Sequence, residues 1–290
     1  MSFPVPRDPA RAIWLSSLHL VEDPFDSAPD SRFLYFSSQH GPVLDRMHNL
    51  VERRHGLSIV DGGRSLGKTL LARRLESYYR ARSKEFKVTV FDQPSFNSEY
   101  TAYLALSTAL NIKPKKGTET QWTELATHIN AQAHNGCITL FILDNAEHLN
   151  AEVLAGLDRV AQEIAPMFLF GRESIQVALA ELPDTLSRAT RMTLTPLSLR
   201  EAVGLVRFRT TIAGRDDDLF TSEALAFLWE AARGIPGDLV ELCNLSLAEL
   251  RSVQGKIIDL ELARAASDSF GAYSPLTEQI SAAEQRASAP

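Results

Sequence analysis

Residues 62–69 read Gly62-Gly63-Arg64-Ser65-Leu66-Gly67-Lys68-Thr69, and this octapeptide decides the fold. It fits G-x-x-x-x-G-K-[ST] at every fixed position. Leu57-Ser58-Ile59-Val60-Asp61 before it has the pattern of a short strand. After it, residues 69–82 place Leu70, Leu71, Leu75 and Tyr78 at helical spacing. A strand, a glycine-rich turn and a helix make a cradle for phosphate. Glycines let backbone N–H groups curl around phosphate oxygens, and the helix N-terminus adds the positive end of its dipole. In such a loop the Lys68 ammonium neutralises the β- and γ-phosphates and the Thr69 hydroxyl holds Mg²⁺. Gly62, Gly63, Arg64, Ser65, Leu66, Gly67, Lys68 and Thr69 are thus the candidate nucleotide-binding residues. A chance glycine turn is the alternative, but it would not explain both flanking elements.

A phosphate loop of this kind needs an acid at the end of a neighbouring buried strand. Leu140-Phe141-Ile142-Leu143-Asp144 supplies it: Asp144 is the first charge after an apolar run that starts at Cys137. Ligands of open parallel sheets bind at the carboxyl edge, where Asp144 falls. Thr69 and Asp144 are therefore the candidate Mg²⁺ ligands, with capping of the next helix as the plainer reading of Asp144. Further strand patterns occur at Phe86–Phe91, Pro166–Phe170 and, more weakly, Arg191–Leu194. Helical spacing covers 42–54, 99–110 and 121–134 between them. Alternating strands and helices predict an α/β fold, a P-loop parallel sheet with helices on both faces. From Ser198 the strand signals stop, and 199–213, 221–233, 237–252 and 258–268 are helical by pattern. The expected organisation is a proline- and aromatic-rich, irregular entry segment (1–41) packed on the core, an α/β domain (42–196), a helical lid (197–266) and a disordered tail (267–290).

Composition narrows the class. The chain has 290 residues, 44% of them apolar, a net charge of −6 and two cysteines. That is long enough for a core without staples. Two cysteines make no disulfide framework, so the expected setting is reducing and cytoplasmic, with attachment to the inner-membrane periphery through a partner as a further option. The sequence has no apolar run near the ~20 residues needed to span a bilayer. The seven histidines show no zinc spacing. Trp14, Trp122 and Trp229 sit among apolar neighbours and read as core.

Other motifs follow the loop and Asp144. Phe170-Gly171-Arg172-Glu173 ends a buried strand, where Arg172 is placed to contact a γ-phosphate, or Glu173 to start a helix. Arg188 and Arg191 precede the helical region, where an arginine can reach a neighbouring subunit's γ-phosphate. Surface salt bridges are their alternative role. Pro196-Leu197-Ser198 and Gly234-Ile235-Pro236-Gly237 mark a turn and a helix start.

Together these motifs resemble the AAA+ ATPases of the ExeA/GspA secretion type. The entry segment adds to the likeness through Glu22-Asp23-Pro24-Phe25, Pro29-Asp30-Ser31-Arg32-Phe33-Leu34-Tyr35 and Gln39-His40. The resemblance covers about residues 13–265. Asp144-Asn145-Ala146-Glu147-His148-Leu149, Phe168–Gly171 and Gly234–Gly237 look similar to the ATPase module of DamX-like cell-division proteins. This family implies ATP, Mg²⁺ and a homo-oligomer. Two positions depart from it. The family's Asp-Glu pair is Asp144-Asn145 here, and an amide cannot take a proton as general base, although it can position a water. Glu147 is the nearby carboxylate that compensates if it is not simply part of the next helix. The lid arginine that follows Gly-x-Pro in the family is replaced by Gly237-Asp238.

The expected function is an ATP-binding AAA+ protein with weak or absent hydrolysis. It would act as a nucleotide-dependent assembly or recruitment factor for a protein partner in an envelope machine for secretion, pilus assembly or division. Asn145, Glu147, Arg172, Arg188 and Arg191 are its candidate catalytic residues, and Phe25 is a candidate adenine contact. The alternative is a DNA-binding ATPase of the transposition-regulator or initiator type. Arg73, Arg74, Arg80, Arg82, Lys84 and Lys87, with Lys113, Lys115 and Lys116, would supply the basic surface. A nucleotide kinase fits the layout poorly.

Overall fold

The computed structural model describes residues 9–26 and 31–271. Contacts divide the chain into two compact units, one from Ser38 to Thr195, the other of residues up to Ser37 together with those from Pro196 onward.

The first unit is an α/β sandwich. Helix α2 (His40–Arg53; α1 belongs to the other unit) leads into β1 (Leu57–Asp61), α3 (Lys68–Arg80) and β2 (Phe86–Phe91). Then come α4 (Glu99–Ala109), α5 (Thr118–His134), β3 (Ile138–Leu143), α6 (Ala151–Glu163) and β4 (Met167–Phe170). Short helices α7 (Ile175–Ala180) and α8 (Pro183–Arg188) precede β5 (Thr190–Thr193). The five strands are all parallel, in the order β2-β3-β4-β1-β5.

The sequence explains why the middle strands sit where they do. Side chains alternate across a sheet, so a strand covered on both faces must be apolar throughout. Leu57 and Ile59 of β1, Phe141 and Leu143 of β3, and Met167 and Leu169 of β4 join one buried cluster with Tyr103, Trp122, Leu125, Val153 and Leu157 from α4, α5 and α6. Their neighbours Val60, Leu140, Ile142, Phe168 and Phe170 point the other way and are buried as well. Helices α2 and α3 contact β1, β2 and β4. Each such large side chain contributes about 1.5–3 kcal/mol on burial. The edge strands β2 and β5 are only partly buried, matching their mixed sequences.

The second unit gathers α1 (Pro9–Ser17), α9 (Leu199–Ile212), α10 (Ser222–Ala231), α11 (Pro236–Ser252) and α12 (260–271). A capping box between Ser198 and Glu201 starts α9, and Pro236 occupies the first turn of α11. The two turns that flank these helices are tied together. Leu197 N–H donates to Gly234 O at 2.8 Å and the Trp229 indole donates to Leu197 O at 2.8 Å. Gly234 has φ +70°, and a Cβ there would lie 2.6 Å from Leu197 O, so only glycine fits.

The entry segment differs from the sequence reading. Residues 9–17 are helical, and Leu15, Leu18, Leu20 and Phe25 are part of the helical unit's own core, beside Leu205, Phe220 and Leu242. The buried Arg209 guanidinium donates to Pro24 O at 2.6 Å and to Asp26 O at 3.1 Å. The segment is thus a structural part of that unit, because its apolar side chains complete a core shared with α9–α11. Residues 267–271, expected to begin a disordered tail, extend α12, and 272–290 lie outside the described residues.

Candidate functional site

The loop 62–67 joins the fully buried β1 to α3. Gly62 has φ +150°, and a Cβ on it would meet Leu194 O at 2.8 Å. The close approach comes from the sheet itself, since Leu194 N–H donates to Asp61 O at 2.8 Å. Ser65 and Gly67 are left-handed, at φ 60° and 94°, and Gly67 caps α3. Alternating handedness of this kind turns successive N–H groups toward one concavity, an anion-binding nest.

Lys68 is 9% exposed. Its Nζ lies inside the loop and donates to Gly62 O at 2.8 Å and to Gly63 O at 2.7 Å. Burial pushes the ammonium's pKa below its ordinary value, while Glu147 and Asp144 push it back. Among the described residues the buried cation thus has only neutral acceptors in direct contact, which suits it to an incoming polyanion.

Asp144 lies just past β3 and is 3% exposed. Its N–H is bonded to Phe91 O at 2.8 Å, which places it at the carboxyl edge of the sheet. Burial pushes the Asp144 pKa up, and the Thr69 hydroxyl and the Asn145 N–H hold it down. The two residues read as metal ligands thus act on each other, and they offer a hydroxyl and a carboxylate, donors of the hard-oxygen kind that Mg²⁺ takes. Among the described residues no group of three or more His, Cys, Asp or Glu forms a metal cage.

Asn145 is left-handed, at φ 57° and ψ 44°, a conformation asparagine tolerates well. Its amide Nδ2 donates to Asp92 O at 2.9 Å. Glu147 is in a short 3₁₀ turn, Ala146–His148, and is not part of α6. Its side chain is 5% exposed, with Oε1 3.2 Å from the Arg172 Nε. The other oxygen, Oε2, is buried and has no hydrogen-bond partner among the described residues. Gly171 makes room for this turn: a Cβ there would lie 3.3 Å from Glu147 N. Gly171 N–H also donates to Val60 O at 3.1 Å, so the ends of β4 and β1 lie side by side.

The structure brings Thr69, Asp144, Glu147 and Arg172 around Lys68. The remaining candidates lie apart. Arg191 is on β5 with its guanidinium 3.7 Å from Asp61, and it donates to Gln176 at 2.5 Å. Arg188 pairs at 2.7 Å with Asp158, a buried carboxylate that also accepts from Thr185 at 2.8 Å. An open groove of about 620 Å³ beside this pair is lined from α6, α8 and the Glu181-Leu182 link before α8, and shares no residue with the phosphate loop. Phe25 is fully buried in the helical unit, edge to face with Phe220 at 5.7 Å. A ring used in this way has no face left for a base, so packing accounts for it and it drops out of the site. Gly237 and Asp238 lie in the first turn of α11.

Sequence reasoning missed three neighbours of the site. The buried His40 ring approaches Gly67: a Cβ there would be 3.8 Å from its Nε2. Asp61 is 1% exposed and accepts from Gln176. Asp92, just past β2, lies 2.7 Å from Arg73. The signal for Asp61 was present, since a carboxylate closing an otherwise apolar strand requires partners. Part of the basic surface expected on and after α3 is ion-paired. Arg73 and Arg80 both pair with Glu76 at 3.0 Å, and Arg82 pairs with Glu85 at 2.6 Å.

With this geometry in place, comparison with known proteins is informative. The AAA_22 family model, an AAA domain, matches residues 51–179, which span the loop, Asp144 and Arg172. General secretion pathway protein A of Aeromonas hydrophila is 26% identical over 263 residues, covering 87% of this chain and 48% of that protein. The chain thus spans about half the length of this curated relative. Among solved structures, the Aeropyrum pernix ORC2 protein in ADPNP–ADP complexes aligns with a TM-score of 0.62 at 15% identity, over 84% of this chain and 71% of that one. The Aeropyrum pernix ORC1 protein in complex with DNA gives 0.62 at 13% identity, over 86% and 69%. The Thermotoga maritima RuvB branch-migration motor gives 0.52 at 15% identity, over 79% and 68%. At these identities the structural matches speak for the fold alone.

Proposed function

We propose, on the premise that this chain is an ExeA/GspA-like AAA+ ATPase, that it binds ATP with Mg²⁺ and hydrolyses it slowly or not at all. The observation that supports binding is the buried Lys68 ammonium inside its glycine loop, contacted only by neutral carbonyls. Backbone N–H groups of 62–69 would surround the phosphates, and Lys68 would exchange its carbonyl acceptors for charged oxygens. Thr69 and Asp144 would hold Mg²⁺, which when bound supplies neutralisation of the phosphate charge. Arg172, at the end of β4, would reach the γ-phosphate.

Slow hydrolysis rests on Asn145. It stands where the family carries glutamate, and its amide is bonded to the Asp92 backbone. Losing a positioned base costs about 10²–10⁴ in rate. A protein that binds ATP and rarely cleaves it suits a nucleotide-dependent assembly factor. The likeness to a general secretion pathway protein points to an envelope machine as the partner, with homo-oligomers built through the ATPase unit. Arg188 is the arginine we assign to a neighbouring subunit's nucleotide, because its side chain is half exposed at the unit's surface. The DNA-binding alternative loses support from the paired arginines of α3.

The test combines two measurements on the purified protein, MgATP affinity by calorimetry and steady-state phosphate release. Tight binding with turnover far below that of ordinary AAA+ proteins is expected. Fast turnover would remove the role given to Asn145, and absence of binding would remove the whole reading.

A further inference from the structure

We propose that Glu147 is an internal competitor for Arg172: it holds the guanidinium in the nucleotide-free protein and surrenders it to the γ-phosphate, so that the pair sets the preference of the site for ATP over ADP. The inference rests on the nucleotide-binding reading above.

Four observations support it. The two side chains meet at 3.2 Å, with Glu147 5% exposed and Arg172 44% exposed. The carboxylate is therefore fixed inside the unit, while the arginine remains free to turn on its solvent side. The pairing is incomplete, because only Oε1 meets Arg172, through Nε, and the buried Oε2 has no partner among the described residues. The guanidinium is thus held by one contact, and because releasing it costs the buried carboxylate its partner, only a strongly charged anion such as a terminal phosphate can draw it away. Glu147 is also three residues past Asp144, on the turn that follows the acid at the end of β3. Finally, the turn that carries it is pressed against Gly171, the residue before Arg172, at a spot where a Cβ would be 3.3 Å from Glu147 N. The backbone thus holds the competitor and the arginine in register at the end of β4.

Bound ATP presents one more anionic group than ADP. When Arg172 moves to that group, Glu147 gives up its one ion-pair partner, and the stronger pairing of the guanidinium with phosphate offsets that loss. ADP lacks the competing anion and leaves the pair closed. The pair therefore reports the third phosphate without cleavage of any bond, which suits a site that keeps ATP intact. Glu147 acts through Arg172 and is a positioning residue.

The test is a double-mutant cycle read as the MgATP and MgADP dissociation constants by calorimetry, on wild type, Glu147→Gln, Arg172→Ala and the double variant. Glu147→Gln should tighten MgATP by about tenfold, the size of one charge-assisted hydrogen bond, and leave MgADP within twofold. Arg172→Ala should bring the two affinities within about threefold of each other. In that background Glu147→Gln should have no further effect. If Glu147→Gln tightens ATP equally with and without Arg172, simple charge repulsion accounts for it and the competition is refuted. If Glu147→Gln changes neither nucleotide, the competition is refuted as well. Loss of MgATP binding in wild type would instead overturn the nucleotide reading itself. Thermal unfolding of each variant without nucleotide shows whether it is folded, and Glu147→Asp serves as the replacement if Glu147→Gln is not.

Discussion

Replacing Lys68 tests the nucleotide reading most directly. In the free protein its ammonium donates to Gly62 O at 2.8 Å and to Gly63 O at 2.7 Å, both neutral acceptors. The ammonium is charged in both states, so its carbonyl bonds are already charge-assisted, and an anionic acceptor is taken to add about 1–1.5 kcal/mol per bond over a neutral one. Exchanging two neutral acceptors for two phosphate oxygens therefore gains about 2–3 kcal/mol, or about 30- to 150-fold in affinity. That figure is a floor. Without the cation, Asp144 and Glu147, which both act on Lys68, face the phosphates directly. Lys68→Met keeps the apolar stem and removes the charge, and Lys68→Ala removes both. Titration calorimetry with MgATP should show both variants weakened by at least 30-fold. A thermal-shift series supplies the control, because wild type should gain melting temperature with added nucleotide as binding stabilises the native state, and the variants should not. A Lys68→Met protein that unfolds like wild type and binds MgATP within threefold of it would refute the assignment.

The remaining predictions concern catalysis, acid stability and packing. Asn145→Glu should raise phosphate release by about 10²-fold if the missing base limits turnover. Because position 145 is left-handed at φ 57°, the same change should cost about 1 kcal/mol in a denaturant titration. Burial pushes the His48 ring below its ordinary pKa of 6.5, so the unfolded chain takes up the proton first. Stability from this residue is complete above pH 6.5 and falls as pH drops toward the lowered folded value. Melting temperatures from pH 8 to 5 should accordingly fall less steeply for His48→Phe than for wild type, and identical slopes would contradict this. Gly204 lies in α9 against the Tyr35 hydroxyl, where a methyl group would overlap it. Gly204→Ala should cost about 1–3 kcal/mol in chemical denaturation even though alanine favours helix.

Much of the α/β unit was legible because its signals are local. Apolar runs at Leu140–Leu143 and Met167–Phe170 can only be strands covered on both faces, and the structure places them at the sheet centre. Helices α9, α10 and α11 fall within a few residues of their expected limits because cap residues and periodicity lie in the same short window. The entry segment was not legible in this way. Its prolines and aromatics suggested irregular chain packed on the core, whereas Leu15, Leu18 and Leu20 belong to a helical unit whose other core residues run from Leu197 to Ala263. Arg191 likewise looked available for a neighbour until its contact with Asp61, 130 residues away in sequence, was seen.

The chain alone specified a phosphate-binding turn between a strand and a helix, and an acid at the end of a buried strand. Both follow from the spacing of residues within one element and its turn, which short-range sterics and hydrophobic periodicity control. Only the tertiary structure decided that Glu147 faces Arg172, that Thr69 acts on the Asp144 carboxylate and that Phe25 is core. Those facts depend on which strand ends lie side by side in the sheet, and hydrogen bonding across β3, β4 and β1 sets that order between residues far apart in the chain.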